Sequence, residues 1–446
     1  MDRLDAVPWL GDDSERRCAD AEKLYCQRCR SQDRIVIADT GSSDGSSQLA
    51  RDLGAEVFDF PWQDDFAQAR NAAVSALTTD WVLIMDDDEE LDPKARAKIP
   101  PLLRNASVSG YLVTHRNHIP VKFGLGGHAP SIKSSDSPVR GAERARAYAD
   151  FAICRLFRRK PGIYYVGRVH EHVEPRIHAL GLNLASTDLV IHHFGHLCSP
   201  AELRAKNEFY RKLGRLKVKD APTDPDAWVE LGLQEYEQFR NYSAGIECFK
   251  RALALKPAYP SVPALSLANL YIDIHADDRA LELLSGVPMT GRAAGAKEHI
   301  RGDAFYNLGR FKEARSAYIR ALGILSDDAL IGSKLGLTEV RLGLKKNGLA
   351  RLMKALQSNP DEFEMHDRVI KAYILTNMMT QAAEAAERLA GKIRNPATVL
   401  RAASIRAEMR EWKAAEDIVL CGLQRFPDSR ELLQAKMEMG PGLARV

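Results

Sequence analysis

The chain has 446 residues, 45% of them hydrophobic and 28% charged, with 63 basic residues against 60 acidic ones. This composition excludes a disordered or fibrous protein and allows about three globular domains. The net charge of +3 argues neither for nor against nucleic acid, and we predict no nucleic-acid partner.

The opening stretch, MDRLDAVPWLGDDSERR, lacks the apolar core that follows a basic start in a signal peptide. No apolar run approaches the ~20 residues that span a bilayer. We therefore predict a cytoplasmic protein without a transmembrane segment, in solution or peripheral at the inner membrane.

Seven cysteines are scattered between Cys18 and Cys421, and this odd number fits reduced thiols better than a disulfide framework. Cys26 and Cys29 form one CxxC pair near Cys18. A four-ligand zinc site would need a fourth donor that this stretch does not offer, so we favour ordinary thiols over the zinc alternative.

Strands and helices alternate from residue 33 onward. Residues 34–38 and 56–60 are short apolar runs, and the turn-rich GSSDGS between them suits a helix start. The stretch DDFAQARNAAVSALTTD has helical periodicity, and WVLIM predicts a third strand. This alternation predicts a parallel sheet covered on both faces, with ligands at the carboxyl ends of its strands.

Acidic residues follow two of these predicted strands directly: Asp39 follows the first, and DDDEE follows WVLIM. Asp86 and Asp88, two residues apart, share one face of an extended or turning chain. Two carboxylates so placed can hold a hard divalent cation, which can neutralise the charge on a diphosphate leaving group. The alternative is a helix-capping acidic run. No phosphate-binding loop or dinucleotide fingerprint occurs in this stretch.

Several motifs, in order, resemble the family 2 glycosyltransferases of GT-A fold: IVIADTGSSDGS, FPWQDDFAQARN, WVLIMDDDEEL, RLFRR, YVGRVHEHVEP and VIHHFGH. The similarity is greatest to the branch often fused to tetratricopeptide repeats, which includes lipopolysaccharide core transferases and sublancin-type peptide S-glycosyltransferases. It covers roughly residues 33 to 222. It implies an α/β, Rossmann-like GT-A domain that takes a nucleotide-sugar and acts in cell-envelope biosynthesis or on a peptide.

The resemblance also implies roles for individual residues. Asp39 would contact the base or ribose of the donor, and Arg70 and Asn71 would line the donor pocket with Asp86. Asp86 and Asp88 would form the Asp-x-Asp motif that holds Mn²⁺ or Mg²⁺ against the diphosphate. The alternative for Arg70 is a helix arginine that covers apolar surface with its stem.

Family members transfer with inversion, so a carboxylate must act as general base across the sugar from the diphosphate. Glu171, in VHEHV, is the candidate; its alternative is a salt bridge within the fold, for example with Arg168. Nine of the twelve histidines fall between residues 115 and 196. His192 or His193 would complete the metal shell, and we assign His193. The spacing of these histidines excludes the His-Glu-x-x-His motif of zinc hydrolases.

Three other features have mainly structural interpretations. Asp44 is expected to cap the helix that starts near Gly45, and Trp62 to pack against the helix that follows it. Residues 120–150 are expected to form a mobile loop that folds over the bound donor and excludes water.

The start of the chain departs from the family pattern. Members open with an apolar strand ending in Asn-Glu, paired beside the Asp39 strand, and no five-residue apolar strand precedes Ile35 here. A late start, a frame shift or a degenerate enzyme would each explain this, because a lost central strand leaves a sheet edge unpaired. We therefore divide this half into a divergent or truncated segment, 1–32, a GT-A domain, 33–198, and a linker helix, 199–222.

The C-terminal half is an internal repeat. Small residues recur at intervals of 33 to 35: Gly245, Ala280, Ala314, Gly348, Ala382 and Ala415. Four residues after each stands Phe249, Leu284, Tyr318, Leu352, Ala386 or Val419. Trp228, Leu231-Gly232, Tyr236, Phe249 and Pro257 resemble the tetratricopeptide pattern, with one extra residue before Tyr236. We predict about six repeats over 223–437, stacked into an all-α superhelix.

Together these patterns predict an inverting glycosyltransferase that moves a sugar, expected from a UDP-sugar, to a glycan, lipid-linked or peptide acceptor. The repeats would bind the acceptor or a protein partner, or serve only structure or dimerisation. The alternative is a non-catalytic repeat scaffold that carries a degenerate transferase domain. Only the first function predicts donor binding that depends on a divalent metal.

Overall fold

The structure, a computed structural model, describes residues 4–7, 9–10, 34–119, 133–134, 145, 147–326, 328–360, 362–393 and 395–443. It consists of two compact units, 1–240 and 241–446. None of the helices it describes is long and apolar enough to cross a membrane. Cys18, Cys26 and Cys29, and most of the loop expected over the donor, lie outside the described residues.

The first unit alternates strands with helices, which confirms the predicted fold class. Its strands are β1 (Leu4–Val7), β2 (Trp9–Leu10), β3 (Arg34–Asp39), β4 (Glu56–Asp59), β5 (Trp81–Ile84), β6 (Glu89–Leu91), β7 (Gly110–Ile119), β8 (Lys133–Ser134), β9 (Ala147–Arg158) and β10 (Leu184–His193). Its helices are α1 (Ser46–Asp52), α2 (Phe66–Ser75), α3 (Ala95–Leu103), α4 (Glu174–Ala179), α5 (Pro200–Asp220) and α6 (Pro225–Leu233).

These strands form one mixed sheet. β4, β3, β1 and β5 are parallel neighbours in that order, and the sheet continues through β9, β7, β10 and β6. β5 is buried along its whole length, and Trp81 is fully enclosed, because helices cover a parallel sheet on both faces. β2 adds to the end of β3, and β8 adds to β9.

The structure has a short strand before Ile35, although no five-residue apolar run precedes that residue. Leu4–Val7 pairs in parallel with both β3 and β5, with Asp5 opposite Arg34 and Leu4 opposite Trp81. The four residues LDAV are too short, and too interrupted by Asp5, to stand out as an apolar run. Backbone hydrogen bonds to strands on both sides hold them in the sheet, so the central position is filled.

Helix α5 occupies the stretch expected as a linker. It begins with a capping box at Ser199, whose hydroxyl accepts from the Glu202 backbone while Glu202 bonds back to the Ser199 N–H. Leu213 of this helix is fully buried, in contact with Phe66 and Val169. The helix is therefore packed within the first unit.

A π-helical turn, Gln234–Gln238, follows α6. A π turn takes up one more residue than an α turn, which accounts for the extra residue seen before Tyr236. The turn places Glu235, only 2% exposed, against α5, where it accepts hydrogen bonds from Arg211 and Arg215.

The second unit consists of helices packed in succession, as expected for tetratricopeptide repeats. Within its described residues they are α7 (Tyr242–Ala254), α8 (Ser261–Asp273), α9 (Asp277–Gly286), α10 (Gly291–Asn307), α11 (Phe311–Ile324), α12 (Ala329–Arg341), α13 (Lys345–Ser358), α14 (Phe363–Leu375), α15 (Met379–Lys392), α16 (Pro396–Glu408), α17 (Trp412–Arg425) and α18 (Arg430–Leu443). Every small residue of the predicted series is buried, and so is the residue four positions later.

The second unit contains a close approach between two helix backbones at paired glycines. A Cβ built on Gly348 of α13 would lie 2.5 Å from the carbonyl oxygen of Gly336 in α12. By contrast, a Cβ on Gly332, in the same helix as Gly336, would meet nothing within 4 Å. The small residues of the repeat thus set the distance between paired helices.

We expect Gly348→Ala to destabilise the second unit by about 1–3 kcal/mol, because the two helices must move apart. Gly332→Ala is the matched control, and it should stabilise by about 0.5–1 kcal/mol through helix propensity alone. Urea unfolding of both variants measures the difference. Equal effects of the two substitutions would contradict the close packing.

Candidate active site

The sheet brings two predicted groups of residues to one edge. β5 ends just before Asp86, and β10 ends at His193, which pairs in register with Glu89. β9 runs antiparallel beside β5 and places Arg155 at the same edge. Acids, histidines and arginines therefore lie together at this end of the sheet, where the sequence predicts the acids.

The carboxylate of Asp86 lies between two buried arginines. Oδ1 is 2.7 Å from Arg70 Nη1, and Oδ2 accepts from Arg70 Nη2 at 3.1 Å and from Arg155 Nη2 at 2.9 Å. Burial alone would raise the pKa of Asp86, but Arg155 and Arg70 outweigh it and hold that pKa well below its usual range. The suggestion that Arg70 only covers apolar surface is wrong.

Arg70 also connects Asp86 to Glu171, since its Nε donates to Glu171 Oε1. Glu171 is therefore paired within the fold, but with Arg70 and not with Arg168, which binds Asp220 instead. The Glu171 side chain is 10% exposed. Glu171, the candidate base, and Asp86, the first acid of the Asp-x-Asp motif, thus both bind the guanidinium group of Arg70.

A tight loop holds Glu171 in place. Val166 and His172 exchange backbone hydrogen bonds of 2.9 and 3.0 Å across the loop, and His170 takes a positive φ of 51° within it. Such a backbone angle is uncommon for a residue other than glycine, and it often marks a functional turn.

The side chain of Glu89, 2% exposed, contacts the acidic turn, which is formed by residues 86–88. One oxygen accepts from the Asp86 backbone N–H at 2.8 Å, and the other contacts Arg155 and His115, each at 2.7 Å. Sequence reasoning did not assign Arg155, Glu89 or His115. The RLFRR motif was the signal for Arg155, but partners distant in the chain cannot be derived from it.

Asp88, the second acid of the Asp-x-Asp motif, lies beside a histidine and a lysine and not between two arginines. Asp88 Oδ2 lies 3.3 Å from His193 Nε2 and 3.8 Å from Lys206 Nζ of α5. The other ring nitrogen of His193 bonds to the Asn117 side chain, which orients the imidazole. Burial would lower the pKa of His193, but the Asp88 carboxylate outweighs it and raises that pKa.

Of the three predicted metal ligands, Asp88 and His193 are the two that lie against each other. Two ligands bound side by side to one Mg²⁺-sized ion at about 2.0–2.1 Å lie roughly 3 Å apart, close to the 3.3 Å seen here. Asp86 is less suited, because both of its oxygens lie against arginine nitrogens. Among the described residues, no group of three or more His, Cys, Asp or Glu side chains converges as a ready metal site.

His192 does not join this group. It is 1% exposed and bonds through Nδ1 to His118 Nε2 at 2.9 Å, with its other nitrogen 3.4 Å from Asp92 Oδ2. The two rings stack with centroids 5.2 Å apart. His192 and His118 therefore make ordinary buried contacts, although His192 was the alternative to His193 as a metal ligand.

Asp39 lies at the end of β3, two strands or about 10 Å from β5. Its Oδ1 accepts from the backbone N–H groups of Gly41 and Ser42 at 3.1 and 2.9 Å, and its Oδ2 accepts from the Ser47 hydroxyl. Asp39 therefore organises the turn after β3. A role in base or ribose binding remains a prediction.

The remaining predicted residues have structural contacts. The Asn71 amide donates to the Tyr165 carbonyl at 2.9 Å and accepts from the Tyr165 N–H at 2.8 Å, so it anchors that backbone. Trp62 packs on Phe66, the first residue of α2, which confirms the predicted packing of Trp62 against the helix that follows it. Asp44 accepts from the Ser46 N–H at 3.0 Å, at the start of α1.

Helix α5 brings two residues that the sequence did not single out. Lys206 and Tyr210, one turn apart, face the site together, with Lys206 Nζ 6.0 Å from the Tyr210 ring centre. Burial and the nearby carboxylates of Glu171 and Asp88 raise the pKa of Tyr210. Helical spacing alone could not reveal which strand ends this face would meet.

Protein-family models match residues in both halves of the chain. The model of "Glycosyl transferase family 2" matches residues 22–161. Models described as "Tetratricopeptide repeat" and "Tetratricopeptide repeat-like domain" match residues 225–259 and 247–342. The first of these repeat matches crosses the boundary between the two compact units at residue 240.

Individual relatives are similar over part of their length. A TPR repeat-containing protein of Synechococcus elongatus is 27% identical over 206 residues, 45% of each chain. The glycosyltransferase SunS of Bacillus subtilis is 22% identical over 49% of this chain and 46% of its own. An uncharacterized glycosyltransferase of Rickettsia conorii is 32% identical over 19% of this chain and 32% of its own. The chain thus spans less than half the length of these relatives.

Among solved structures, a tetratricopeptide repeat protein from Parabacteroides merdae is 11% identical, with a TM-score of 0.43, over 53% of this chain and 93% of that one. The regions that the family models match contain strands and helices described above. The chain therefore carries a glycosyl transferase family 2 domain in its first unit and tetratricopeptide repeats in the stretch that follows.

Proposed function

We propose that this protein is an inverting glycosyltransferase that moves a sugar from a nucleoside diphosphate donor, expected to be a UDP-sugar, to an acceptor. The observation that carries the proposal is the convergence of Asp86 and Asp88, which lie in the matched family 2 region, with Glu171, which follows it, at one end of the sheet. The filled central strand removes the main reason to expect a degenerate fold.

In the proposed reaction, the acceptor's nucleophilic atom attacks the anomeric carbon on the face opposite the diphosphate. The bond from that carbon to the diphosphate oxygen breaks, and the diphosphate leaves with the electron pair. Glu171 takes the acceptor's proton as general base, with its Oε1 held by the Arg70 guanidinium group.

Asp88 and His193 would hold Mn²⁺ or Mg²⁺, which when bound would neutralise the charge that develops on the diphosphate. Asp86 keeps Arg70 and Arg155 in position beside it. A partly buried carboxylate with two buried arginine partners is costly to disturb, so Asp86 fixes the geometry whether or not it also contacts the ion.

We further propose that the repeats bind the acceptor or a protein partner. Stacked helix pairs of this kind present an extended surface suited to a peptide or another protein. A glycan, a lipid-linked sugar and a peptide are all compatible acceptors.

Donor binding can be tested without knowing the acceptor. We expect one of UDP, GDP or CDP, with Mn²⁺ present, to stabilise the first unit by about 2.7 kcal/mol at a hundred times its dissociation constant. This corresponds to a rise in Tm on the order of 5 °C. Thermal shift and calorimetric titration, with and without EDTA, measure it. No response to any of the three nucleotides in a folded protein would favour the scaffold alternative.

A further inference from the structure

Helix α5 follows the matched family 2 region, which ends at residue 161, yet its Lys206 reaches the acidic turn. The ammonium group lies 3.8 Å from Asp88 Oδ2, too far for a hydrogen bond. About a third of each side chain is exposed, 35% for Lys206 and 33% for Asp88. An ion pair this long and this exposed contributes little to stability, so Lys206 can readily exchange partners.

Gly195 shows that polar atoms converge on one point. A Cβ built there would lie 2.6 Å from His193 Nε2 and 2.9 Å from Lys206 Nζ, and closer still to Asp88 Oδ2. No side chain could occupy this position without displacing those groups. The glycine therefore leaves the carboxylate, the imidazole and the ammonium facing a shared space.

The charges around this space differ in how firmly they are held. Arg70 and Arg155 are buried and paired with Asp86, and each also binds a second carboxylate, that of Glu171 or Glu89. Lys206, by contrast, has a partly exposed, loosely paired head group on a flexible stem. Tyr210 lies one turn further along α5, with its ring centre 6.0 Å from Lys206 Nζ.

We infer that Lys206 binds the diphosphate of the donor and of the nucleoside diphosphate product, turning from Asp88 to a phosphoryl oxygen when the donor enters. The inference rests on the proposed function and assigns a donor contact to α5. A lysine beside the leaving group supplies a point charge where negative charge develops as the sugar departs.

The test is calorimetric titration of the full chain with the nucleoside diphosphate that stabilises it and with the matching monophosphate, in Mn²⁺. We expect Lys206→Ala to weaken diphosphate binding about tenfold or more, the loss expected for one charge-assisted hydrogen bond. Binding of the monophosphate should change much less. Lys206→Arg should restore most of the diphosphate affinity. Lys212→Ala, on the same helix but paired with Asp64, is the matched control and should bind like the wild type.

The outcomes separate this inference from the function on which it rests. If the wild-type chain binds a nucleoside diphosphate and Lys206→Ala binds it equally well, the inference is overturned and the proposed function stands. Equal losses for the diphosphate and the monophosphate would also overturn it, since they indicate a structural role. Failure of the wild-type chain to bind any nucleoside diphosphate would overturn both.

Discussion

Replacing Glu171 by glutamine is expected to slow turnover of the donor by a factor of about 10²–10⁴, the contribution that a positioned general base makes. Glutamine keeps an oxygen that can accept from Arg70 Nε, so the loop and the arginine should stay in place. Release of nucleoside diphosphate from the nucleotide-sugar, including slow hydrolysis, gives a readout that needs no known acceptor. Affinity for the nucleoside diphosphate should be unchanged.

Glu56→Gln is the control for this experiment. Glu56 is an exposed glutamate of the same unit that pairs with Arg34 at the start of β4, at the end of the sheet opposite the acidic turn. It should turn over the donor at the wild-type rate. A Glu171→Gln variant within tenfold of the wild-type rate would mean that another group accepts the proton.

Asp88→Asn should abolish the metal dependence of nucleotide binding. The stabilisation of about 2.7 kcal/mol expected with Mn²⁺ at a hundred times the dissociation constant should fall close to the value in EDTA. Turnover should decrease by roughly 10²–10⁴, since a metal ion contributes several kcal/mol of charge stabilisation. Thermal shift with and without Mn²⁺, followed by donor turnover, measures both effects.

Asp87→Asn removes the same charge one residue away and should retain the metal response. Persistence of the full Mn²⁺-dependent shift in Asp88→Asn would show that the ion binds elsewhere. Loss of the shift in both variants would instead indicate that the net charge of the turn matters more than any single carboxylate.

Much of the fold could be predicted because the signals are local. WVLIM followed by acids places a buried strand and a charged end within eleven residues, and the structure confirms both. The 34-residue period likewise predicted which side chains of the second unit are buried. Each of these patterns depends only on residues close in the chain.

The features that could not be predicted depend on contacts between residues that are distant in the chain. β1 is held by backbone pairing on both sides, which LDAV does not reveal by its side chains. The partner of Glu171 is Arg70, 101 residues away, and not the nearby Arg168. Lys206 joins the site only because α5 packs across Phe66 and Val169. Contacts between distant segments decide these details, and such contacts cannot be inferred from a single sequence.

The π-helical turn after α6 determines where the protein can be divided for separate expression. Repeat motifs suggest a cut near residue 222, before the first matched repeat. Such a cut would remove Glu235 and leave Arg211 and Arg215 of α5 without their buried carboxylate. A fragment that ends near residue 240 retains this ion pair, so the transferase half should be produced with the first part of a repeat still attached.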